Sequence, residues 1–360
     1  MRLPELATLG WDDRLSSLYE PYAGDDVVPG RVSIQHRGAY DVLTELGELR
    51  CDVPRRLVHE AEATADLPAV GDWVVVAPRP AEKTGTITRV LPRRTTFSRK
   101  TAWQAAEEQV LAANVDVAFL VTSLNEDLNL RRLERYLTLA WESGAQPVIV
   151  LTKSDLHPVP EAALAEVGVI AYGVPVHAIS SVTGEGLESI RAHLGPGRTA
   201  VLLGSSGVGK STLVNTLAGA ELLATQEIRG DGKGRHTTTR RELVELPGGG
   251  LVIDTPGIRE LQLWIADDGI DEAFEDVTEL FSRCRFSDCA HDREPGCAVR
   301  AAIADGTLAA ERWESYVKLL GEIAHLERKL DRRAAAEARR QWKALGQEAR
   351  ANMRLKGRRE

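Results

Sequence analysis

Gly204-Ser-Ser-Gly-Val-Gly-Lys-Ser211 lies between the apolar run AVLL (200–203) and STLVNTLAG (211–219), a good helix former. The octapeptide matches G-x-x-x-x-G-K-S, and a strand before it and a helix after it are the context that motif requires. The chemistry follows from the residue types. Glycines let backbone N–H groups curl around a β-phosphate, and a helix N-terminus adds positive dipole. Lys210 can reach the β- and γ-phosphates, and the Ser211 hydroxyl is a ligand for Mg²⁺. The expected phosphate-binding residues are Gly204, Ser205, Ser206, Gly207, Val208, Gly209, Lys210, Ser211 and Thr212.

The phosphate loop alone does not choose the nucleotide. Downstream, Asp254-Thr-Pro-Gly257 closes the strand LVID and matches D-x-x-G. Asp254 can hold the Mg²⁺ shell and the Gly257 N–H can meet a γ-phosphate. Hydrolysis removes that phosphate, so the loop that follows reads as a switch. Between these motifs, GDGKGRHTTT (230–239) reads as a mobile first switch. One of Thr237, Thr238 and Thr239 completes the Mg²⁺ shell, with Thr238 taken as the ligand. Upstream, Thr152-Lys153-Ser154-Asp155 follows the strand PVIVL and fits [N/T]-K-x-D. A carboxylate at Asp155 accepts from guanine N1–H and N2–H₂ together, a pair adenine lacks, and Lys153 lies along the base. One strand–helix unit later, Ile179-Ser180-Ser181-Val182 is the expected loop that meets guanine O6 through a backbone N–H.

The order of these motifs carries its own information. Guanine motifs usually follow the phosphate loop; here they precede it and D-x-x-G comes last. Joining the old termini and opening the sheet elsewhere keeps every nucleotide-binding group in place. It also feeds the second switch straight into whatever comes next, so γ-phosphate status is expected to be reported to the C-terminal module.

That module contains Cys284-x₄-Cys289-x-His291-x₅-Cys297. Three thiolates and an imidazole suit one tetrahedral, closed, structural Zn²⁺ site. Compact spacing in a segment too short to own a core favours metal over free thiols. The lone Cys51 reads as a small apolar strand residue.

Outside the nucleotide region, residues 28–100 read as an all-β unit. Five short strands with turn glycines suit a barrel of the OB type, and periodicity alone also allows an SH3-like barrel. The expected architecture is multidomain: an unassigned N-terminal extension (1–27), the OB-like β-barrel (28–100), a circularly permuted P-loop α/β GTPase domain (101–270), and a C-terminal α-helical zinc-binding domain with a basic tail (271–360).

Composition sets limits. The 360 residues carry a net charge of −8, which argues against a general nucleic-acid coat. Residues 328–360 hold twelve Lys or Arg against four Asp or Glu, a net +8, so the remainder carries −16. A basic tail on an acidic body fits a local polyanion contact as well as a solvated helix. Arg93, Arg94, Arg99 and Lys100 add a basic stretch at the barrel's exit. No apolar run approaches the roughly 18 residues of a membrane span and no signal peptide is evident, so a cytoplasmic protein without membrane contact is expected.

The motifs quoted above, in this order, together with ANVDVAFLVTSLNEDLNLRRLERYL (113–137), GKGRHTTTR (232–240) and CRFSDCAHDREPGCAV (284–299), resemble the RsgA/YjeQ family of circularly permuted GTPases that depend on the small ribosomal subunit. The likeness runs from about Gly30 to nearly the end of the chain. It implies a late assembly factor that hydrolyses GTP to GDP and phosphate on the maturing 30S particle, contacts 16S rRNA, and keeps the same four zinc ligands; a monomer is expected. The residue after D-x-x-G, often Gln in GTPases, is Ile258, and an apolar side chain cannot orient water. Hydrolysis by the chain alone is therefore expected to be slow. His236 in the first switch is the internal candidate for the missing group, and the resemblance implies the same role. Three other readings differ in class. One is an RNA-particle clamp in which GTP is mainly a conformational ligand; another is an ATPase or small-molecule kinase; the third is a GTPase with a protein partner and no RNA.

Overall fold

The computed structural model describes residues 5–61, 63–100, 108–125, 127–221, 241–254, 267–321 and 323. Five strands form the barrel: β1 Val28–Gln35, β2 Tyr40–Thr44, β3 Gly47–Asp52, β4 Trp73–Arg79 and β5 Thr84–Val90. Their order is β1-β2-β3-β5-β4, and β4 returns to β1. Within this ring only the β3–β5 pair is parallel, and a short helix, Arg55–Glu60, lies between β3 and β4. The ring is the OB arrangement, which sets aside the SH3-like alternative. Alternate side chains fill it, with Val32, Val42, Leu49, Cys51, Val74, Val76 and Ile87 all buried. Cys51 is the apolar strand residue its setting predicts, and burial pushes its thiol up to about 12.

After the barrel comes a hairpin, β6 Thr96–Lys100 with β7 Glu108–Ala113, that pairs with no barrel strand. It straddles the division expected at residue 100 and is not among the strands expected from the sequence.

Six strands, joined to the barrel through the β1–β12 pair, carry the nucleotide motifs. They are β8 Val117–Ser123, β9 Gln146–Thr152, β10 Val176–Ala178, β11 Thr199–Leu203, β12 Glu242–Glu245 and β13 Leu251–Asp254, in the order β10-β9-β8-β11-β13-β12. All neighbours among them are parallel except β12–β13, the hairpin that PGGG (247–250) predicts. Every residue of β8 is buried, as a central strand covered on both faces requires. One face packs on the helices Leu187–Arg191 and Lys210–Ala218. The other packs on Leu130–Glu142 and Pro160–Gly168 and on the C-terminal helices.

The N-terminal extension, unassigned from sequence, is structural. Its helix Asp13–Tyr19 is capped by Asp12, whose Oδ1 accepts the Leu15 N–H at 2.8 Å. Trp11 meets the Trp73 ring edge-on at 4.9 Å, and Leu6, Leu9 and Leu15 enter the core shared by barrel and sheet. Arg31, 1% exposed, donates to the carbonyls of Leu9, Gly71 and Asn114, one from each of the three segments that meet there.

The C-terminal region is helical over Asp267–Ala273, Glu275–Thr278, Ala298–Asp305 and 310–321. The first of these crosses the division expected at 270. The region's hydrophobic residues, Phe274, Val277, Tyr316 and Leu319 among them, join the same core as the 130–142 helix rather than forming one of their own. Arg312 locks the two together. It donates to Glu134 at 2.9 Å, to both oxygens of Asp276 at 3.0 and 2.8 Å, and to the Ala273 carbonyl at 2.7 Å, and its guanidinium lies 4.0 Å from the Phe274 ring centre.

Candidate nucleotide site and metal centre

The predicted nucleotide residues collect at the C-terminal ends of the parallel strands, where open α/β sheets place ligands. Gly204 leaves β11 so close to β8 that a Cβ there would sit 2.2 Å from the Val121 carbonyl oxygen. Gly207 and Gly209 take φ values of 80° and 100°, the left-handed region that glycine tolerates. These constraints explain the motif's glycines and turn the loop back onto the helix Lys210–Ala218. Val208 anchors the loop with a buried side chain. Lys210 Nζ donates to the carbonyls of Gly204 (2.7 Å) and Ser205 (2.5 Å), so the ammonium lies across the loop. Ser205 is half-buried, Ser206 and Thr212 are exposed, and Ser211 is half-buried in the first turn of the helix.

The guanine motif is tied directly to this loop. The Thr152 hydroxyl donates to the Val208 carbonyl at 2.5 Å and lies 3.2 Å from the Thr122 carbonyl. Lys153 adopts a left-handed backbone (φ 60°), a conformation that costs a non-glycine residue about 1–3 kcal/mol, and its ammonium donates to the Gly207 carbonyl at 3.0 Å. Asp155 is exposed beside them in the turn Ser154–Leu156. The Ser154 N–H donates to the Ile179 carbonyl, joining TKSD to the ISSV loop. There Ser180 is fully buried and its hydroxyl accepts from the N–H groups of Val182 and Thr183, while Ser181 is half-buried. Asp254 ends β13; because Ile253 pairs with Val201, the chain leaves the sheet there beside the start of the phosphate loop. Gly257, Ile258, His236 and Thr238 lie outside the described residues.

Tyr136 belongs to this neighbourhood and had no sequence signal beyond its place in an amphipathic helix. Burial pushes its phenol up, so it stays neutral, and it shares a hydrogen bond with Ser205.

Cys284, Cys289, His291 and Cys297 come together as the spacing predicts, all four ligand atoms lying within 4.8 Å of one another. His291 Nδ1 is 3.5 Å from Cys284 Sγ and 3.6 Å from Cys297 Sγ. Zn–S bonds of about 2.3 Å and a Zn–N bond of about 2.05 Å at tetrahedral angles give S···N of about 3.6 Å. The donor set and its spacing therefore fit zinc. Cys297 is the N-cap residue of the helix Ala298–Asp305, and the Ala298 N–H points at Cys284 Sγ at 3.4 Å, two features that favour thiolates. His291 is held in a left-handed backbone (φ 61°) and stacks on Phe281 at 4.3 Å.

The basic stretch expected at the barrel's exit is corrected at its first position. Arg93 is bidentate to the buried Asp72, at 2.7 Å to each oxygen, and also donates to the carbonyls of Ala65 and Leu67. Arg94 pairs with Asp116 and faces Asp12. Arg93 is spent inside the protein, whereas Arg94 stays half exposed with its charge shared with Asp116.

Residues 90–264 match the family model described as RsgA GTPase. A relative from Opitutus terrae, "Small ribosomal subunit biogenesis GTPase RsgA", is 50% identical over 98% of this chain and 99% of its own. The chain belongs to the RsgA GTPase family. A Streptomyces coelicolor member of the same name is 47% identical over 98% of this chain and 95% of its own. Among solved structures, YjeQ from Thermotoga maritima superposes with a TM-score of 0.63 at 28% identity, covering 83% of this chain and 99% of that one. YloQ, described as a circularly permuted GTPase, gives 0.62 at 27% identity, covering 84% and 96%. Barrel, permuted GTPase sheet and helical C-terminal region are thus the family's architecture.

Proposed function

We propose that this GTPase is a late assembly factor of the 30S ribosomal subunit, slow alone and stimulated by the particle. Its identity to ribosome-biogenesis GTPases over 98% of its length carries the reading. Thr152, Lys153, Ser154 and Asp155 with Ser180 and Ser181 receive guanine. Residues 204–212, Asp254 and Gly257 receive the phosphates, and Ser211 and Thr238 ligate Mg²⁺. Placing Ile258 after D-x-x-G leaves the attacking water without a side-chain partner there, which supports His236 as the group that orients it once the particle orders the first switch. Completing a GTPase transition state in trans is worth about 10³–10⁵ in rate.

Zinc is the metal of the Cys₃His centre in this reading; it supplies a structural crosslink and no chemistry. The barrel and the zinc module with its basic tail are the surfaces offered to 16S rRNA, and phosphate contacts would make binding salt-sensitive. Among the described residues no helix is long and apolar enough to cross a membrane; in this reading the protein works as a cytoplasmic monomer on ribosomal particles.

The test is GTP turnover by the full chain alone and with 30S, 50S or 70S particles, with ATP as control. A large rise with 30S particles only is expected, abolished in His236→Ala. No rise with any particle, or equal use of ATP, refutes the partner or the nucleotide. Release from the particle that is unchanged when hydrolysis is blocked would instead favour the clamp.

A further inference from the structure

β10 ends the sheet, and among the described residues no strand pairs with its outer side. Pro175 accepts the Ile149 N–H, and the Ile179 N–H donates to Leu151, both toward β9. Bonding alternates along a strand, so the main-chain groups of Val176 and the Ala178 N–H face the open edge, while the Ala178 carbonyl is covered by Gly186. Alongside runs a cleft of about 290 Å³ whose walls include Ser154, Glu161, His177 and Glu185. No Lys or Arg lines it. Neither the Glu161 nor the Glu185 carboxylate makes an ion pair or hydrogen bond among the described residues. The Ser154 hydroxyl is buried without a partner, a cost that a ligand's polar group could remove.

An open edge, two uncompensated carboxylates and an orphaned hydroxyl belong to one location, and their charge selects a basic occupant. We propose that this edge takes up an extended basic segment of a protein partner by strand addition. The partner's main chain pairs with both main-chain groups of Val176 and with the Ala178 N–H, and one of its Lys or Arg side chains enters the cleft lined by Glu161 and Glu185. The inference shares Ser154 with the proposed guanine motif and otherwise rests on the strand edge, Glu161 and Glu185.

The experiment is fluorescence anisotropy of the full chain with a labelled, end-blocked nine-residue peptide of alternating Arg and Val. Saturable binding is expected, weakened about tenfold or more by Glu161→Gln with Glu185→Gln, where tenfold corresponds to 1.4 kcal/mol. The control Glu166→Gln with Glu188→Gln removes the same formal charge outside the cleft and should leave binding nearly intact. N-methylation of alternate peptide residues on the pairing side should abolish it. Equal weakening in both double variants, or undiminished binding of the methylated peptides in both registers, overturns the proposal. Should the cleft variant not fold, hydrogen exchange on the unaltered chain decides: peptide must slow the amides of Val176 and Ala178, and unchanged exchange overturns it.

Discussion

Thr152 stands where many GTPases have Asn, and its hydroxyl is the bond between the guanine motif and the phosphate loop. Thr152→Val keeps the shape and removes the donor. The Val208 carbonyl, on a residue 1% exposed, is then deprived of the partner it holds at 2.5 Å. Leaving a buried acceptor unpaired costs about 1–3 kcal/mol. If that falls on nucleotide binding, Kd for GTP and GDP rises about 5- to 150-fold. The low end is expected, because the Lys153 ammonium still ties the same loop through Gly207. Part of the cost should appear in the free protein as an unfolding midpoint lower by about 2–4 °C per kcal/mol. Thr152→Ser restores the hydroxyl and should return both readouts most of the way. Selectivity for GTP over ATP, assigned to Asp155, should not move. The assays are titration with a fluorescent GDP analogue and calorimetric melting. A valine variant with unaltered affinity and midpoint would refute the tether. A lower midpoint with unaltered affinity would make it a purely structural bond.

Three further outcomes are expected. Arg312→Met strands Glu134 and Asp276, and breaking a buried ion pair from one side costs about 3–5 kcal/mol. Burial already pushes the Glu134 carboxyl up against the pull of Arg312, so without Arg312 it rises further. A folded value above the unfolded one gives stability at low pH that fades as pH rises, so the variant's deficit in denaturant melts should be largest near pH 7, shrink as pH falls through the raised folded value, and be smallest below the unfolded value of about 4.5. Chelation of the metal, or Cys289→Ser, should unfold the 284–297 segment, seen as a weaker near-ultraviolet signal from Trp313 beside His291, while GTP affinity changes less than twofold to threefold (about 0.5 kcal/mol). In the barrel, Asp41 is depressed, burial being outweighed by its bonds to Arg50 and His36. Its contribution is present above the unfolded carboxyl value of about 4 and is lost as pH falls through the lower folded value, so Asp41→Asn should lower the melting point at pH 7 by more than at acid pH, the difference shrinking as pH falls through that folded value.

What the sequence revealed and what it hid divide along a physical line. The phosphate loop was legible because Gly204, Gly207 and Gly209 answer to local backbone geometry and Lys210 and Ser211 to local chemistry. The Cys₃His centre was legible because its four ligands span fourteen residues. The N-terminal extension was not. Trp11 finds Trp73, and Leu9 finds Arg31, across distances in the chain that no periodicity records. The hairpin β6–β7 escaped because TTFSRK is too polar for a strand until Phe97 is seen buried. Arg93 looked like part of a surface patch because its partner, Asp72, lies 21 positions away. The Arg312–Glu134 pair spans 178 positions and was invisible for the same reason.

That pair also gives the permutation a mechanical meaning. Strand adjacency depends on pairing rather than chain order, so β11 stays between β8 and β13 wherever the chain is cut. Cutting it here makes D-x-x-G the last nucleotide motif, and the helix Asp267–Ala273 begins only thirteen residues after Asp254. This helix packs on Leu130–Glu142, the helix that carries Tyr136 to Ser205 and Glu134 to Arg312. The Cys₃His module is therefore attached twice, covalently through the segment that follows Asp254 and laterally through a helix that packs beside the phosphate loop. If the proposed second switch reports the γ-phosphate to this module, the Arg312 clamp is the fixed point against which it would act. Weakening the clamp conservatively with Arg312→Lys, which keeps one charge and gives up the bidentate fork, should leave GTP affinity within about twofold (0.4 kcal/mol). It should shrink the ratio of particle affinity in the GTP and GDP states, measured by co-sedimentation with 30S particles. An unchanged ratio in a folded Arg312→Lys protein would mean the signal does not travel through this clamp.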